Sequence, residues 1–207
     1  MTQPMPTIPL DLDGYTDLPP GRIANVVTYL EMRMPPGRRQ PESGSGLSLR
    51  SVRAPSLDWY RNLYRRIGER WLWFSRSVMD DRALAARLAA PATEILALER
   101  DGDAIGFVEL DRSVEGEVEI AMFGVVPEAT GTGAARFLMD EALALAWVPG
   151  TRRVWLHTCT FDHPAAIPFY RRAGFTPYKF AIEVSPDPRL SGQLPRHAGP
   201  HVPLIEP

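Results

Sequence analysis

The chain has 207 residues, of which 44% are hydrophobic and 23% are charged, and its formal net charge is −2. This length fits one domain with a large core, and the single cysteine, Cys159, excludes a disulfide framework and a Cys-rich metal site. The near-neutral charge argues against nucleic-acid binding, and no apolar stretch of the sequence is long enough to span a bilayer. We therefore expect a cytoplasmic protein with no metal and with neither a nucleic-acid nor a membrane partner.

Prolines separate a central region from two arms. Eight prolines lie in residues 1–50 and six in residues 186–207, whereas seven lie in the 135 residues between. We expect a Pro-rich N-terminal arm (1–20), a single domain (21–185) and a Pro-rich C-terminal tail (186–207). Because proline lacks a backbone donor, neither arm is expected to form a continuous helix or a central strand. The tail either covers the site, forms a homodimer interface or is disordered.

The first half of the domain is expected to hold one strand and two helices. An apolar, β-branched run predicts a strand within residues 21–34, followed by a Gly/Ser-rich loop at 41–46. Ser56 can cap a first helix, and a second helix is predicted from Asp80 or Asp81 to just before Pro91. Between the helices lies an aromatic cluster that either lines a pocket or packs the helices onto the sheet: Trp71, Trp73 and Phe74.

Tight turns join the next three segments. The hairpin sequence Asp101-Gly102 separates strands at Glu94–Arg100 and Ala104–Asp111, since Asp and Gly tolerate a positive φ. The turn Glu115-Gly116 leads into a third strand at Glu117–Val126. These segments predict an antiparallel meander.

The last third alternates helices and strands. The expected elements are a helix from Gly133 to Trp147, a buried strand at Val154–Cys159, a short helix that is capped by Asp162 or His163 and ends at Gly174, and a strand at Tyr178–Val184. The complete order predicts an α/β fold, a mixed sheet with helices on both faces.

Small residues fill the junction between the third meander strand and the long helix. The sequence there is Thr130-Gly131-Thr132-Gly133-Ala134-Ala135-Arg136. Glycines allow a sharp turn, and the helix N-terminus offers unpaired amides and a positive dipole end, which together bind phosphate or pyrophosphate. Close packing of strand and helix is the alternative explanation. The sequence lacks the Gly-Lys-Ser/Thr of a P-loop and the three-glycine dinucleotide fingerprint.

This segment resembles the cofactor loop of the GNAT superfamily of N-acetyltransferases, in which Arg or Gln precedes a Gly-x-Gly/Ala pattern. The short helix resembles the family's second cofactor segment, which ends in a tyrosine followed by Gly-Phe. The residues that carry this second match are Ala165-Ala166-Ile167, Phe169-Tyr170 and Ala173-Gly174-Phe175. The resemblance covers residues 93–182 and implies the GNAT-like fold, with splayed parallel strands beside the meander.

The resemblance also implies a donor site for acetyl-CoA between the strands at Glu117–Val126 and Val154–Cys159. The backbone of 123–125 would pair with the pantetheine arm, and the amides of 131–136 would hold the pyrophosphate. The cofactor-binding residues implied in this way are Phe123, Gly124, Val125, Thr130, Gly131, Thr132, Gly133, Ala134, Ala135, Arg136, His163, Ala166 and Phe169.

The activity implied is direct acetyl transfer to a primary amine of a small molecule, peptide or protein. Tyr170 occupies the position from which the family's tyrosine protonates the departing thiolate or donates a hydrogen bond to it. Glu119 stands where some members carry the general base, and Glu117 on the same strand face would raise one carboxyl pKa by like-charge repulsion. The alternatives are independent of one another: Glu117 or a water is the base, both carboxylates are merely solvated, or Tyr170 only anchors the short helix.

The sequence departs from the family pattern at three positions. Thr130 replaces the usual Arg or Gln, and His163 replaces an asparagine that helps to hold the cofactor. Pro168 lies inside the predicted short helix, where a lost backbone hydrogen bond costs about 3 kcal/mol, so we expect a distorted helix beneath Tyr170.

Three other functions are weighed against amine acetylation. Cys159, with His157 nearby on the same strand, suggests a ping-pong nucleophile, although a buried cysteine is more often a small apolar filler. A catalytically silent acyl-CoA-binding module would keep the phosphate-binding turn without a working base. A nucleotide-binding oxidoreductase would use the same glycines for a nicotinamide cofactor.

Overall fold

A computed structural model describes residues 9–37 and 46–207. The predicted loop at 41–46 lies almost wholly outside these residues. Within them the strands are β1 (Arg22–Met32), β2 (Leu47–Ser51), β3 (Thr93–Arg100), β4 (Asp103–Asp111), β5 (Glu117–Val125), β6 (Arg153–Cys159) and β7 (Thr176–Pro186). The α-helices are α1 (Leu57–Gly68), α2 (Asp81–Leu88), α3 (Ala134–Ala146) and α4 (Ala166–Ala173), and the short 3-10 helices are Glu69–Trp71 and Pro127–Ala129.

The strands form one mixed sheet in the order β2-β3-β4-β5-β6-β1-β7. β3, β4 and β5 make the predicted antiparallel meander, and the pair β5–β6 is parallel. β1 lies between β6 and β7 and is antiparallel to both. The short edge strand β2 was not predicted, because its five residues include no fully buried side chain and so carry no clear apolar pattern.

Helices cover both faces of the central strands, as expected. Side chains alternate between the faces of a strand, and Phe107, Val108, Glu109 and Leu110 of β4 are all buried. Phe107 packs against Tyr60 of α1, so α1 covers that face. The apolar side of α3 contributes to the same core and covers the opposite face.

The short helix begins later than predicted. Its first residue is Ala166, and the predicted caps lie in the preceding turn. Pro168 is therefore the third helical residue, a position at which the backbone N–H has no intrahelical partner in any helix. The first such bond runs from Phe169 N to Ala165 O (2.9 Å). The prediction that Pro168 removes a backbone hydrogen bond from the helix is therefore wrong.

A buried carboxylate joins α1, α2 and the segment between them to the sheet. Glu109 is fully buried and accepts hydrogen bonds from Tyr60 Oη (2.7 Å), Arg76 Nη2 (2.9 Å) and Arg87 Nε (3.0 Å). Burial alone would lower the pKa of Arg76, but the charge of Glu109 raises it on balance. Glu109 thus holds α1 through Tyr60, segment 72–80 through Arg76 and α2 through Arg87 over β4.

The C-terminal tail is folded against the domain. Leu194 and Ala198 are buried in a second apolar cluster with domain residues such as Leu72. Asp187 and Arg189 form a buried ion pair (2.6 Å), and Arg189 Nη1 also donates to Ala198 O (3.2 Å) and Val202 O (2.8 Å). Burial alone would raise the pKa of Asp187, but hydrogen bonds and the charge from Arg189 lower it on balance. One guanidinium therefore closes the tail into a compact loop.

We expect Glu109→Gln to lower the free energy of unfolding by about 3–5 kcal/mol, because it leaves the buried Arg76 without its counter-charge. The control is Glu99→Gln, which removes a partner of the partly exposed Arg50 and should change stability by about 1 kcal/mol or less. Urea denaturation measures both. Equal losses in the two variants would contradict the role assigned to Glu109.

Candidate active site

Two neighbouring parallel strands separate at the centre of the sheet. β5 and β6 pair only from Glu117 to Glu119, opposite Arg153 to Trp155. Beyond Glu119 a cavity of about 550 Å³ opens between them, and its walls include residues 120–125 of β5 and 157–159 of β6. The cavity lies where the sequence resemblance implied an opening, and strand backbone that lacks a neighbour on one side faces it.

A β-bulge accompanies this separation. On the β4 side of β5, Glu109 pairs with Met122 and Leu110 pairs with Ile120, so Ala121 is an extra residue. A bulge bends its strand and increases the local twist. The bulge therefore turns the second half of β5 at the point where its pairing with β6 ends.

Residues 130–136, here called the phosphate loop, form one end of the cavity. Gly131 and Gly133 have φ values of +79° and +88°, and a Cβ built on either glycine meets no atom within 4 Å. Close packing therefore does not explain these glycines. Thr132 Oγ1 donates to Ala129 O (2.8 Å), which fixes the turn before α3. The space beside both glycines is therefore open.

Most residues proposed from the sequence line this cavity. They are Phe123, Gly124, Val125, Thr130, Gly131, Gly133, Ala135, Arg136, His163, Ala166, Phe169 and Tyr170. Thr132, Ala134 and Glu119 are not among the lining residues. Ala134 is fully buried, so neither its side chain nor its backbone amide is open to a ligand, and its proposed contact with the cofactor is not supported.

Tyr170 lies in the cavity wall, among aromatic rings. It is 9% exposed, and its ring contacts those of Phe123, Phe169 and Phe175 at centroid distances of 5.5–6.3 Å. Burial, together with the negative charge of Asp162, raises the pKa of Tyr170 above its ordinary value. The phenol therefore remains protonated and can donate a hydrogen bond into the cavity.

Glu119 is separated from the cavity by a histidine. Its Oε1 lies 3.4 Å from Nδ1 of His157, and His157 is the residue that lines the cavity. Glu117 pairs with Arg153 (3.0 Å) and so does not stand as one half of an isolated carboxylate pair. The sequence predicted repulsion between Glu117 and Glu119. In the structure each carboxylate instead has its own partner, Arg153 for Glu117 and His157 for Glu119.

His163 supplies a donor in place of the family's asparagine. Its Nδ1 accepts a hydrogen bond from Ala165 N (3.0 Å), which in the neutral ring assigns the proton to Nε2. The ring packs edge-on against Trp71 at 4.9 Å. The imidazole is thus held in place and has one N–H for a ligand.

Sequence reasoning assigned Asp162 only as a helix cap, but it links the two walls of the cavity. Its carboxylate accepts hydrogen bonds from Trp73 Nε1 (2.9 Å), Thr158 Oγ1 (2.6 Å) and Cys159 N (2.9 Å). An Asp before a short helix looks like an ordinary cap, so no sequence pattern indicated this role. Trp71, Trp73 and Phe74 line the cavity, which supports the pocket interpretation of the aromatic cluster.

The cysteine of the cavity wall is a poor nucleophile. Burial, followed by the charge of Asp162, raises the pKa of Cys159 to about 12, so the thiol is neutral at pH 7. Within residues 9–37 and 46–207 there is no group of three or more potential metal ligands. The described helices include none that is long and apolar enough to cross a membrane.

Residues 57–175, more than half of the chain, match the model of the acetyltransferase (GNAT) family. The chain belongs to the GNAT family of acetyltransferases. The family resemblance and the fold class expected from the sequence are thereby confirmed. The family model describes acetyltransferases, so an acetyltransferase domain is confirmed at the level of the family.

Named relatives agree with this family. An uncharacterized N-acetyltransferase of Mycobacterium tuberculosis is 35% identical over 103 residues, 48% of this GNAT chain and 65% of the relative. A mycothiol acetyltransferase of Cellulomonas flavigena is 32% identical over 185 residues, 81% of this chain and 50% of the relative. The matches thus span between half and two thirds of these relatives.

Solved structures support the fold. A GCN5-related N-acetyltransferase from Sphaerobacter thermophilus superimposes with a TM-score of 0.59 and 18% identity, over 78% of this chain and 51% of that chain. At this identity the likeness shows the fold alone.

We expect alkylation of Cys159 by iodoacetamide at pH 8 to be about 10³-fold slower in the folded protein than in urea, since only the thiolate reacts. The rate should rise with pH towards the thiol pKa of about 12, as long as the protein stays folded. Mass spectrometry follows the reaction. Equal rates in the folded and the unfolded chain would contradict the assignment of a neutral thiol.

Proposed function

We propose that this protein is an acetyl-CoA-dependent N-acetyltransferase that transfers acetyl directly to a primary amine of a small molecule or peptide. The observation that carries the proposal is the open space above Gly131 and Gly133, continuous with the gap between β5 and β6. A binding site for a pyrophosphate and a channel for an extended arm thus meet in one cavity. The oxidoreductase alternative fits poorly, because the strand before these glycines belongs to an antiparallel meander.

The charges around the phosphate loop suit an anionic donor. Arg136 lies in the first turn of α3 and lines the cavity, where it adds a positive charge to the helix dipole. A second cavity of about 220 Å³ shares Thr130 and His163 with the first and adds Arg70. Coenzyme A carries a phosphate in addition to its pyrophosphate, and Arg70 offers that phosphate a counter-charge.

The backbone of β5 suits the pantetheine arm. Phe123 to Val125 pair with β4 on one side and line the cavity on the other, beyond the last pair with β6. Backbone groups without a strand partner require hydrogen bonds from a ligand or water. The two amides of pantetheine provide complementary groups. Phe169 and Ala166 add apolar surface opposite.

When bound, acetyl-CoA supplies a thioester whose carbonyl carbon accepts the amine and whose sulfur departs as a thiolate. Tyr170 donates a hydrogen bond to the charge that develops on this sulfur. Because the pKa of Tyr170 is raised above that of an ordinary phenol, complete transfer of its proton to a thiolate is uphill. Stabilisation of charge by a hydrogen bond therefore describes its role.

His157 is the base of this proposal, and Glu119 positions it. Removing a proton from a lysine-like amine at pH 7 costs roughly 4–5 kcal/mol, so the reaction benefits from a proton acceptor. His157 faces the cavity, and Glu119 beside its Nδ1 orients the ring and stabilises the imidazolium that forms. His157 takes the proton of the ammonium group at Nε2 and so frees the lone pair that forms the carbon–nitrogen bond. As the carbon–sulfur bond breaks, the nitrogen loses its second proton, which neutralises the departing thiolate.

We expect Gly133→Ala to raise the Kd for acetyl-CoA at least tenfold, because its Cβ enters the space assigned to the pyrophosphate. The matched control is Gly102→Ala, at a turn with a similar φ (+85°) and equally open surroundings. Both variants should lose about 1–2 kcal/mol of stability from backbone strain, but the control should keep full affinity by calorimetry. Equal affinities in the two variants would count against the donor site.

We expect Tyr170→Phe and His157→Ala each to lower kcat about 10²-fold while the Kd for acetyl-CoA stays within about threefold of wild type. Glu119→Gln should also lower kcat, but by a smaller factor, and should leave the Kd for acetyl-CoA similarly unchanged. His197→Ala, at an exposed histidine of the tail, serves as the control. Acetyl-CoA binding without turnover on any amine would favour the silent acyl-CoA-binding module instead.

A further inference from the structure

Charged side chains line the cavity at separate places. Arg136 and Arg172 line it from α3 and α4, whereas Glu183 lines it from β7, on the far side of β6 and β1. In the part of the chain that the structure describes, no ion pair is formed between Glu183 and a cationic side chain. A cavity that admits an anionic donor at one end therefore presents a carboxylate at the other.

A buried side chain holds this carboxylate in place. Asn25 of β1 is 4% exposed and is paired in register with Glu183, and its Nδ2 donates to Glu183 Oε2 (2.9 Å). A single hydrogen bond uses a small part of the acceptor capacity of an ionised carboxylate. The hydrogen bond from Asn25 thus orients Glu183, and the other lone pairs of the carboxylate are available to a ligand.

The tail borders the cavity near this carboxylate. Phe74 and Cys159 line the cavity and also pack against the apolar cluster that Leu194 and Ala198 of the tail complete. Glu183 itself is exposed, so a cation can reach it from solvent.

Strand geometry separates Glu183 from the proposed base. Cys159, Val27 and Ala181 form one row across β6, β1 and β7. His157 lies two residues before that row, and Glu183 lies two residues beyond it. With strands about 4.8 Å apart and a rise of about 3.4 Å per residue, the two Cα atoms are roughly 17 Å apart, and both side chains lie on the same face of the sheet.

We propose that Glu183 binds a second cationic group of the acceptor, distinct from the nitrogen that is acetylated; this rests on the proposed acetyl transfer. A carboxylate beside the reacting nitrogen would stabilise its protonated, unreactive form. A carboxylate separated from the reacting nitrogen by the length of a short alkyl chain instead binds the other end of the molecule. The reacting amine then lies near His157. The acceptor class that fits is a small linear diamine.

The test compares cadaverine with pentylamine, which has the same carbon chain and a single amine. Calorimetry should show that the wild-type protein with coenzyme A binds cadaverine at least tenfold more tightly than pentylamine. In turnover, kcat/KM should be higher for cadaverine because its KM is lower. Glu183→Gln should abolish the preference, Glu183→Asp should restore part of it, and Glu115→Gln, at an exposed turn residue, should leave it intact.

The outcomes separate the two proposals. If cadaverine and pentylamine bind equally to the wild-type protein, if neither binds, or if Glu183→Gln keeps the preference, the anchoring role is overturned. Acetyl-CoA binding, measured in the same variants, should be unchanged. Loss of the diamine preference alongside normal acetyl-CoA binding supports the anchor. A wild-type protein that binds no acetyl-CoA overturns the proposed function itself.

Discussion

The interrupted pairing between β5 and β6 is the constraint on which the site depends. Parallel strands normally satisfy each other's backbone groups along their whole length, but here the ladder ends after Glu119. The bulge at Ala121 turns β5 away, and backbone polar groups are left facing a cavity instead of a neighbour. A binding channel is thus formed by the sheet itself, and the phosphate loop lies at the end of the diverging strand.

Two carboxylates, the fully buried Glu109 and the partly buried Asp162, keep this channel in shape. Glu109 joins α1, segment 72–80 and α2 to β4 through Tyr60, Arg76 and Arg87, and Asp162 joins Trp73 of that segment to the end of β6. Each carboxylate accepts three hydrogen bonds, which is the condition under which a charge removed from solvent is tolerated. The segment they hold carries the aromatic wall of the cavity, so its placement depends on polar bonds as much as on apolar packing.

Local patterns in the sequence predicted the meander, the long helix and the phosphate loop, because turns and helix periodicity depend on residues that are close together in the sequence. The position of β1 and the roles of Glu183 and Asp162 could not be predicted, since each depends on partners far along the chain. Glu119 illustrates the same limit: a motif position indicated a carboxylate, whereas only the register between strands places His157 between it and the cavity.

The insertion of β1 between β6 and β7 has a consequence for biosynthesis. The ribosome makes β1 before every other strand described, yet Val27 pairs with Cys159 and Ala181, near the opposite end. β1 therefore has no strand partner until β6 and β7 have been synthesised. Such long-range closure is slow and leaves a nascent chain open to aggregation. The sheet around β1 can accordingly be completed only after residues 153–186 have been made.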